Sequence, residues 1–310
     1  LVTKPSLLSG RRYDLAHGHY TASISSVGAS LRELRFDGRD LVVPFSSELT
    51  RPFYRGAILA PWPNRVVDGQ YTFSGIRQQL SITEPARGNA LHGLVAWLDF
   101  ALVRHDVDEL VLEAIIVGQP GYPHLLDLTV SFTLDDEGLL TSVVARNCGT
   151  GPAPYGVGPH PYLVAGEGTV DDWTLDLPAS KVLEVTPDRL IPQTVVDVAS
   201  DPNTRFDFRE PRVIGDTFID NAYTDLNWDE TGTTTLRLVA PSGTGVSMTW
   251  GRECPWVQIH TADRPAPEPG RLGLAVEPLT CPPDAFNSGI DLIVIQPGEC
   301  ASAGWSIGAL

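Results

Sequence analysis

Leu128-Thr129-Val130-Ser131-Phe132, then Asp135-Asp136-Glu137-Gly138, then Leu139-Leu140-Thr141-Ser142-Val143-Val144, decides the fold class of this chain. Both flanks are rich in β-branched and aromatic residues and largely alternate apolar with polar positions, as half-buried strands do. The acidic segment ending in glycine reads as a turn, so the unit is an antiparallel hairpin. The same pattern recurs on both sides of it. Asp37-Gly38 lies between Leu34-Arg35-Phe36 and Leu41-Val42-Val43, and Asp68-Gly69 between Val66-Val67 and Tyr71-Thr72-Phe73. Ser242-Gly243 separates residues 236–239 from 246–250. Asp-Gly pairs favour tight hairpins, so both are expected to form them. Helical periodicity is weak, and a candidate such as residues 46–51 spans at most about two turns. With 29 glycines and 26 prolines in 310 residues, the chain is punctuated too often for long helices. The expectation is an all-β protein, residues 1–310 as a single domain, folded as a large antiparallel sandwich or barrel. The proline-rich segment 261–271 and residues 149–154 read as surface loops, since proline at this density cannot support a strand ladder.

Hydrophobic residues at 42% and charged residues at 19% supply a core and argue against disorder. The 22 basic and 38 acidic residues give a net charge of −16, which disfavours nucleic acid and anionic membrane surfaces as partners. No apolar run approaches the ~18 residues of a membrane span. Leu1-Val2-Thr3-Lys4-Pro5 carries no charged-then-apolar secretory pattern. Cys148, Cys254, Cys281 and Cys300 form no CxxC pair and no zinc-type cluster, so they read as free thiols in a reducing cytoplasm.

Five places carry residues suited to chemistry, each with an ordinary reading beside the sharp one. In Pro61-Trp62-Pro63-Asn64-Arg65 two prolines stiffen the backbone before a guanidinium able to donate to hydroxyls or carboxylates; the ordinary reading is a surface arginine. His92-Gly93, followed by Trp97, pairs an imidazole with a residue that permits close backbone approach; alone it reads as a buried, satisfied histidine. In Gly158-Pro159-His160-Pro161-Tyr162 the prolines hold His160 extended, and an imidazole suits general acid catalysis; the ordinary reading is a rigid loop that happens to contain a histidine. Asp220, within Phe218-Ile219-Asp220-Asn221-Ala222-Tyr223, is either an acceptor for hydroxyls or a strand-edge carboxylate. In Leu272-Gly273-Leu274-Ala275-Val276-Glu277-Pro278 strand alternation puts Glu277 on the face of Gly273 and Ala275, with room for a ligand; the ordinary reading is a solvated glutamate. Walker, GxGxxG, GxSxG and HExxH motifs are absent. Two histidines, two carboxylates, an arginine and nearby aromatics suit a polyhydroxylated ligand.

Taken in order, these segments resemble the aldose 1-epimerase (galactose mutarotase) family. The resemblance runs through Pro63-Asn64-Arg65, Asp68-Gly69-Gln70-Tyr71-Thr72-Phe73-Ser74-Gly75, Leu91-His92-Gly93, Gly158-Pro159-His160-Pro161-Tyr162, Ile219-Asp220-Asn221-Ala222-Tyr223 and Val276-Glu277-Pro278. It continues through Pro282-Pro283-Asp284-Ala285-Phe286-Asn287 to Gln296-Pro297-Gly298-Glu299, and so spans essentially the whole chain. It implies a galactose mutarotase-like supersandwich with an open sugar-binding cleft, interconverting the anomers of an aldose such as glucose or galactose without cofactor or metal. By motif match His160 is the general acid at the ring oxygen and Glu277 the general base at the anomeric hydroxyl. Arg65, His92 and Asp220 bind the sugar. A protonated His and an ionised Glu are expected to form such a pair near neutral pH, with their ordinary pKa values on either side of about 5–6.

The partner implied is a small aldose, with the protein a monomer or homodimer. Asn221 follows Asp220 where the family pattern has His, and Pro278-Leu279-Thr280-Cys281 replaces a Gln-containing form. These departures point to a bacterial subgroup and leave the sugar open. A phosphorylated or sulfonated hexose would need a basic pocket, and no basic cluster is visible in the sequence. A non-catalytic carbohydrate-binding protein, or a glycosidase using Asp220 and Glu277, are the other classes.

Overall fold

The hairpin that opens the sequence reading sits in the middle of the largest sheet. The computed structural model describes residues 7–200, 205–264 and 268–310. Strands Leu126–Asp135 and Gly138–Asn147 pair antiparallel in full register, from Leu126 opposite Asn147 to Asp135 opposite Gly138. The Asp135 carboxylate closes the turn by accepting from the amides of Glu137 and Gly138 at 2.8 and 3.1 Å. Leu128, Val130 and Phe132 face the core while Thr129 and Ser131 do not, as the alternation predicts.

Nine strands form this sheet, in the spatial order Ala101–His105, Glu109–Ile116, Leu126–Asp135, Gly138–Asn147, Cys300–Ala309, Gly245–Gly251, Thr233–Val239, Thr174–Asp176 and Arg212–Val213. A four-stranded sheet begins with Arg12–His17 and Tyr20–Ser25. A six-stranded sheet runs Tyr162–Leu163, Leu274–Leu279, Trp256–His260, Asp220–Leu226, Ala179–Val185 and Pro192–Asp197. One apolar core takes side chains from all three, among them Leu15 and Leu34, Val130 and Phe132, and Ile259 and Val276. Of the two architectures expected, the molecule is the sandwich: its sheets are antiparallel and do not close into barrels.

Asp37-Gly38 makes the expected two-residue hairpin, with Phe36 opposite Arg39 and both turn residues at positive φ, 50° and 79°. Asp68-Gly69 does not. It ends a short 3₁₀ turn, Val67–Gly69, because Val66 pairs with Ala90 and the chain must change direction before Gln70–Phe73 begins. The hairpin there turns instead at Ser74-Gly75, with Phe73 opposite Ile76. Residues 46–51 form no helix; the α-helix among the described residues is Ala285–Ser288. Pro154 belongs to an edge pairing, opposite Val294, so that loop ends earlier than its composition suggests. In the loop 261–271, residues 265–267 lie outside the described residues. The four cysteines are free, Cys254 and Cys281 buried, Cys148 and Cys300 exposed. No helix among the described residues is long and apolar enough to cross a membrane.

Candidate active site

The six-stranded sheet builds a platform by register alone. Glu277 lies directly opposite Gln258, Ala275 opposite both His260 and Tyr162, and His260 opposite Asp220. Side chains two apart share a face, so Tyr162, Glu277, Gln258, His260 and Asp220 stand together on one side. Leu274, Val276, Val257 and Ile259 fill the core on the other. Ala275 shares this face but is buried against Tyr162 and Ala262, so it does not itself line the cleft.

Three loops wall this platform. His160 is pinned by its own backbone, donating from its amide to the Ala57 carbonyl at 3.0 Å and accepting from the Gly56 amide at 2.8 Å. His92 is held at positive φ (62°), its amide N–H donating a hydrogen bond to the Asn64 carbonyl at 2.8 Å. Gly93 follows at φ 70°, and a Cβ there would run into the Ala60 carbonyl. Gly93→Ala is therefore expected to lower stability by about 1–3 kcal/mol, the cost of forcing a backbone shift in a filled site, and to displace His92. Thermal denaturation with a sugar titration checks both. Arg65 starts a short pairing with Leu91 and lies beside His92 in the resulting cleft.

All five residues singled out in the sequence line this one cleft of about 270 Å³: Arg65, His92, His160, Asp220 and Glu277. The volume is at the small end for small-molecule sites. His160 Nε2 lies 3.4 Å from Glu277 Oε1, and the residues are 5% and 2% exposed. The Tyr162 ring stacks on His160 at 5.1 Å, and the His92 ring meets it edge-on at 5.1 Å. Asp220 accepts from Gln258 Nε2 at 2.7 Å and faces His260 Nδ1 at 3.8 Å. His92 Nδ1, His160 Nδ1, Gln258 Oε1, His260 Nδ1 and Glu277 Oε2 are buried without a hydrogen-bond partner among the described residues. Buried polar atoms are costly unless paired, so this concentration in one cleft calls for a ligand with donors and acceptors.

Burial sets the electrostatics. It pushes His160 down to about 3, aided by nearby His260, Arg51 and Arg264. It pushes His92 well below its ordinary value, aided by His160 and Arg65. It pushes Glu277 well above the carboxylate range; the Asp220 charge adds to this and Arg65 opposes it. The expectation of ordinary values for the His–Glu pair is thus corrected. A dry site penalises both charges and favours the neutral forms of the pair.

Gln258, His260, Tyr54, Glu84 and Arg264 also line the cleft and were not singled out by sequence. The alternation of Trp256-Val257-Gln258-Ile259-His260 marks Gln258 and His260 as sharing a face, but only strand pairing shows that this face is Glu277's. Glu84 and Arg264 sit in loops whose sequences carry no signal. Trp62 is core, and Trp256 is buried with its Nε1 on Asp291. Trp97 is half exposed beside the Tyr54 ring, 5.7 Å away. No group of three or more His, Cys, Asp or Glu among the described residues is arranged to hold a metal ion.

Comparison with known proteins follows the same lines. A family model described as aldose 1-epimerase matches residues 11–307. The uncharacterized protein YihR of Escherichia coli (strain K12) is 36% identical over 294 residues, covering 94% of this chain and 91% of that one. The galactose mutarotase of Bos taurus is 26% identical over 317 residues, covering 93% and 90%. The crystal structure of a GalM/aldose epimerase homologue from C. elegans superposes with a TM-score of 0.84 at 20% identity, covering 97% and 98%, which is a likeness of fold.

Proposed function

This chain belongs to the aldose 1-epimerase family, and from that membership we propose that it interconverts the α and β anomers of a hexose such as glucose or galactose. The observation that carries the reading is the buried His160–Glu277 contact at 3.4 Å in a cleft lined with unpaired polar atoms. Ring opening needs one proton delivered to the ring oxygen and one removed from the anomeric hydroxyl. The pair holds one proton in all. Sugar hydroxyls donating to Glu277 Oε2, together with Arg65, favour the ionised carboxylate and send that proton to His160 Nε2. His160 then protonates the ring oxygen while Glu277 takes the anomeric proton. The C1–O5 bond breaks, the aldehyde forms, the C1–C2 bond rotates, and closure reverses both transfers. Arg65, His92 and Asp220 bind and orient the hydroxyls. The chemistry runs on side chains alone, in a cytoplasmic protein.

Polarimetry of freshly dissolved α-D-glucose and α-D-galactose tests this. Acceleration above the buffer rate supports it; sugar binding with no acceleration would make the chain a carbohydrate-binding protein, and release of reducing sugar from aryl glycosides would make it a glycosidase. The pKa directions add a pH prediction. His160 gains a second proton for the pair only near about 3, and Glu277 loses the last one well above its ordinary value. The singly protonated pair therefore spans a wider window than ordinary His and Glu would give. The acid limb of kcat/KM is expected near about pH 3, below the value of about 4.3 at which an ordinary glutamate would set it. An acid limb at about 4.3 would show that burial does not control the pair.

A second substrate class is favoured by one cation. Arg264 lines the cleft over the Phe53 ring at 3.5 Å, and no carboxylate among the described residues pairs with it. In a chain of net charge −16, such a guanidinium on the cleft wall suits a hexose bearing phosphate or sulfonate. Comparing glucose with glucose 6-phosphate, in wild type and Arg264→Gln, separates the classes: only the anionic sugar should lose rate in the variant.

A further inference from the structure

We propose that Glu84 is a positioning residue that clamps the Arg65 guanidinium and offsets part of its charge, so that Arg65 meets the sugar as a directed pair of hydrogen-bond donors. This rests on the reading that Arg65 binds the sugar. Glu84 takes the fork of Arg65 in bidentate fashion, from Nε at 2.9 Å and from Nη2 at 3.0 Å. Arg65 Nη1 donates to Asn64 Oδ1 at 3.3 Å. A guanidinium has five N–H groups. Three are thus taken, and the two left, one on Nη1 and one on Nη2, are fixed in direction.

The clamp is itself rigid. Glu84 accepts further bonds from Arg87 Nη1 at 3.0 Å and Asn89 Nδ2 at 3.2 Å. Its backbone closes a turn on Asn89 and Gly88, and Asn89 Nδ2 also reaches the Arg189 carbonyl. The side chains of Arg65 and Glu84 are 9% and 10% exposed, so solvent screens the pair little.

The charge matters because Arg65 acts on Glu277, lowering the pH at which it ionises. The other titratable or charged groups facing Glu277 are His160, Asp220, His260 and Tyr162. An unclamped, uncompensated Arg65 would bias Glu277 toward the ionised form and shift the alkaline limb of the rate profile to lower pH.

The experiment is mutarotation of glucose or galactose across pH and sugar concentration, with thermal unfolding as the folding check. Glu84→Gln is expected to raise KM about tenfold, the loss of one charge-assisted bond, and to move the alkaline limb to lower pH. Glu84→Asp keeps the charge and shortens the arm, so the limb should return to its wild-type position while KM stays raised. Arg65→Lys keeps the charge but not the fork and should raise KM. If Arg65→Lys leaves KM unchanged, the assignment of Arg65 to sugar binding is wrong. If it raises KM while Glu84→Gln changes neither KM nor the limb, the positioning role is overturned. Should Glu84→Gln fail to fold, Glu84→Asp decides: a wild-type KM overturns the proposal.

Discussion

His160→Asn and Glu277→Gln are each expected to slow catalysed mutarotation by about 10²–10⁴-fold, the usual contribution of a positioned acid or base. Each change removes a proton-transferring atom and keeps a polar side chain of similar or smaller size, so the platform survives. Glu277→Gln is close to isosteric and leaves the strand pairing with Gln258 untouched. His160→Asn loses stacking on Tyr162 and the edge contact with His92, so its stability must be checked by thermal unfolding. On the proposed mechanism the two residues share one proton and act as a unit. The double variant should therefore be little slower than the worse single variant. Polarimetry on folded protein reads all three rates. Either single variant retaining more than about a tenth of the wild-type rate would remove that residue from the acid–base role.

Arg65→Ala is expected to cost about 1.5–3 kcal/mol of stability, because it removes the bidentate partner of the buried Glu84 carboxylate and leaves it only Arg87 and Asn89. Burial raises the Glu84 pKa, but its bonds to Arg65, Asn89 and Arg87 outweigh this and hold it below the ordinary value. A carboxylate with a depressed folded pKa contributes stability above its unfolded pKa and loses it as pH falls through the folded one. The gap between wild type and Arg65→Ala should thus be largest near neutral pH. It should narrow below about pH 4.5, as Glu84 in the variant takes up a proton. Thermal melts at neutral and acid pH measure this. A gap that is constant with pH would mean that packing, not charge, is what Arg65 supplies.

The fold was legible because antiparallel strands write themselves locally. The run around Asp135-Asp136-Glu137-Gly138 carries its alternation, its turn and its register in some twenty residues, and Asp37-Gly38 does the same in fewer. Asp68-Gly69 misled because its dipeptide is right for a tight hairpin. Whether the flanking strands pair with each other depends on Ala90, which competes for Val66 from far along the chain. The candidate site was legible where unusual backbone chemistry flags a side chain, as with the prolines around His160. His260, Gln258 and Glu84 carry no such flag.

Residue types and their local spacing are enough to establish an all-β chain and the chemistry available to it: imidazole, carboxylate and guanidinium suited to a sugar. Tertiary structure alone decides how those groups behave. Pairing of distant strands sets Glu277 opposite Gln258 and His260 opposite Asp220. Burial by the surrounding loops then drives His160 down and Glu277 up. Contact and desolvation depend on distance in space, and the order of residues along the chain does not encode that distance.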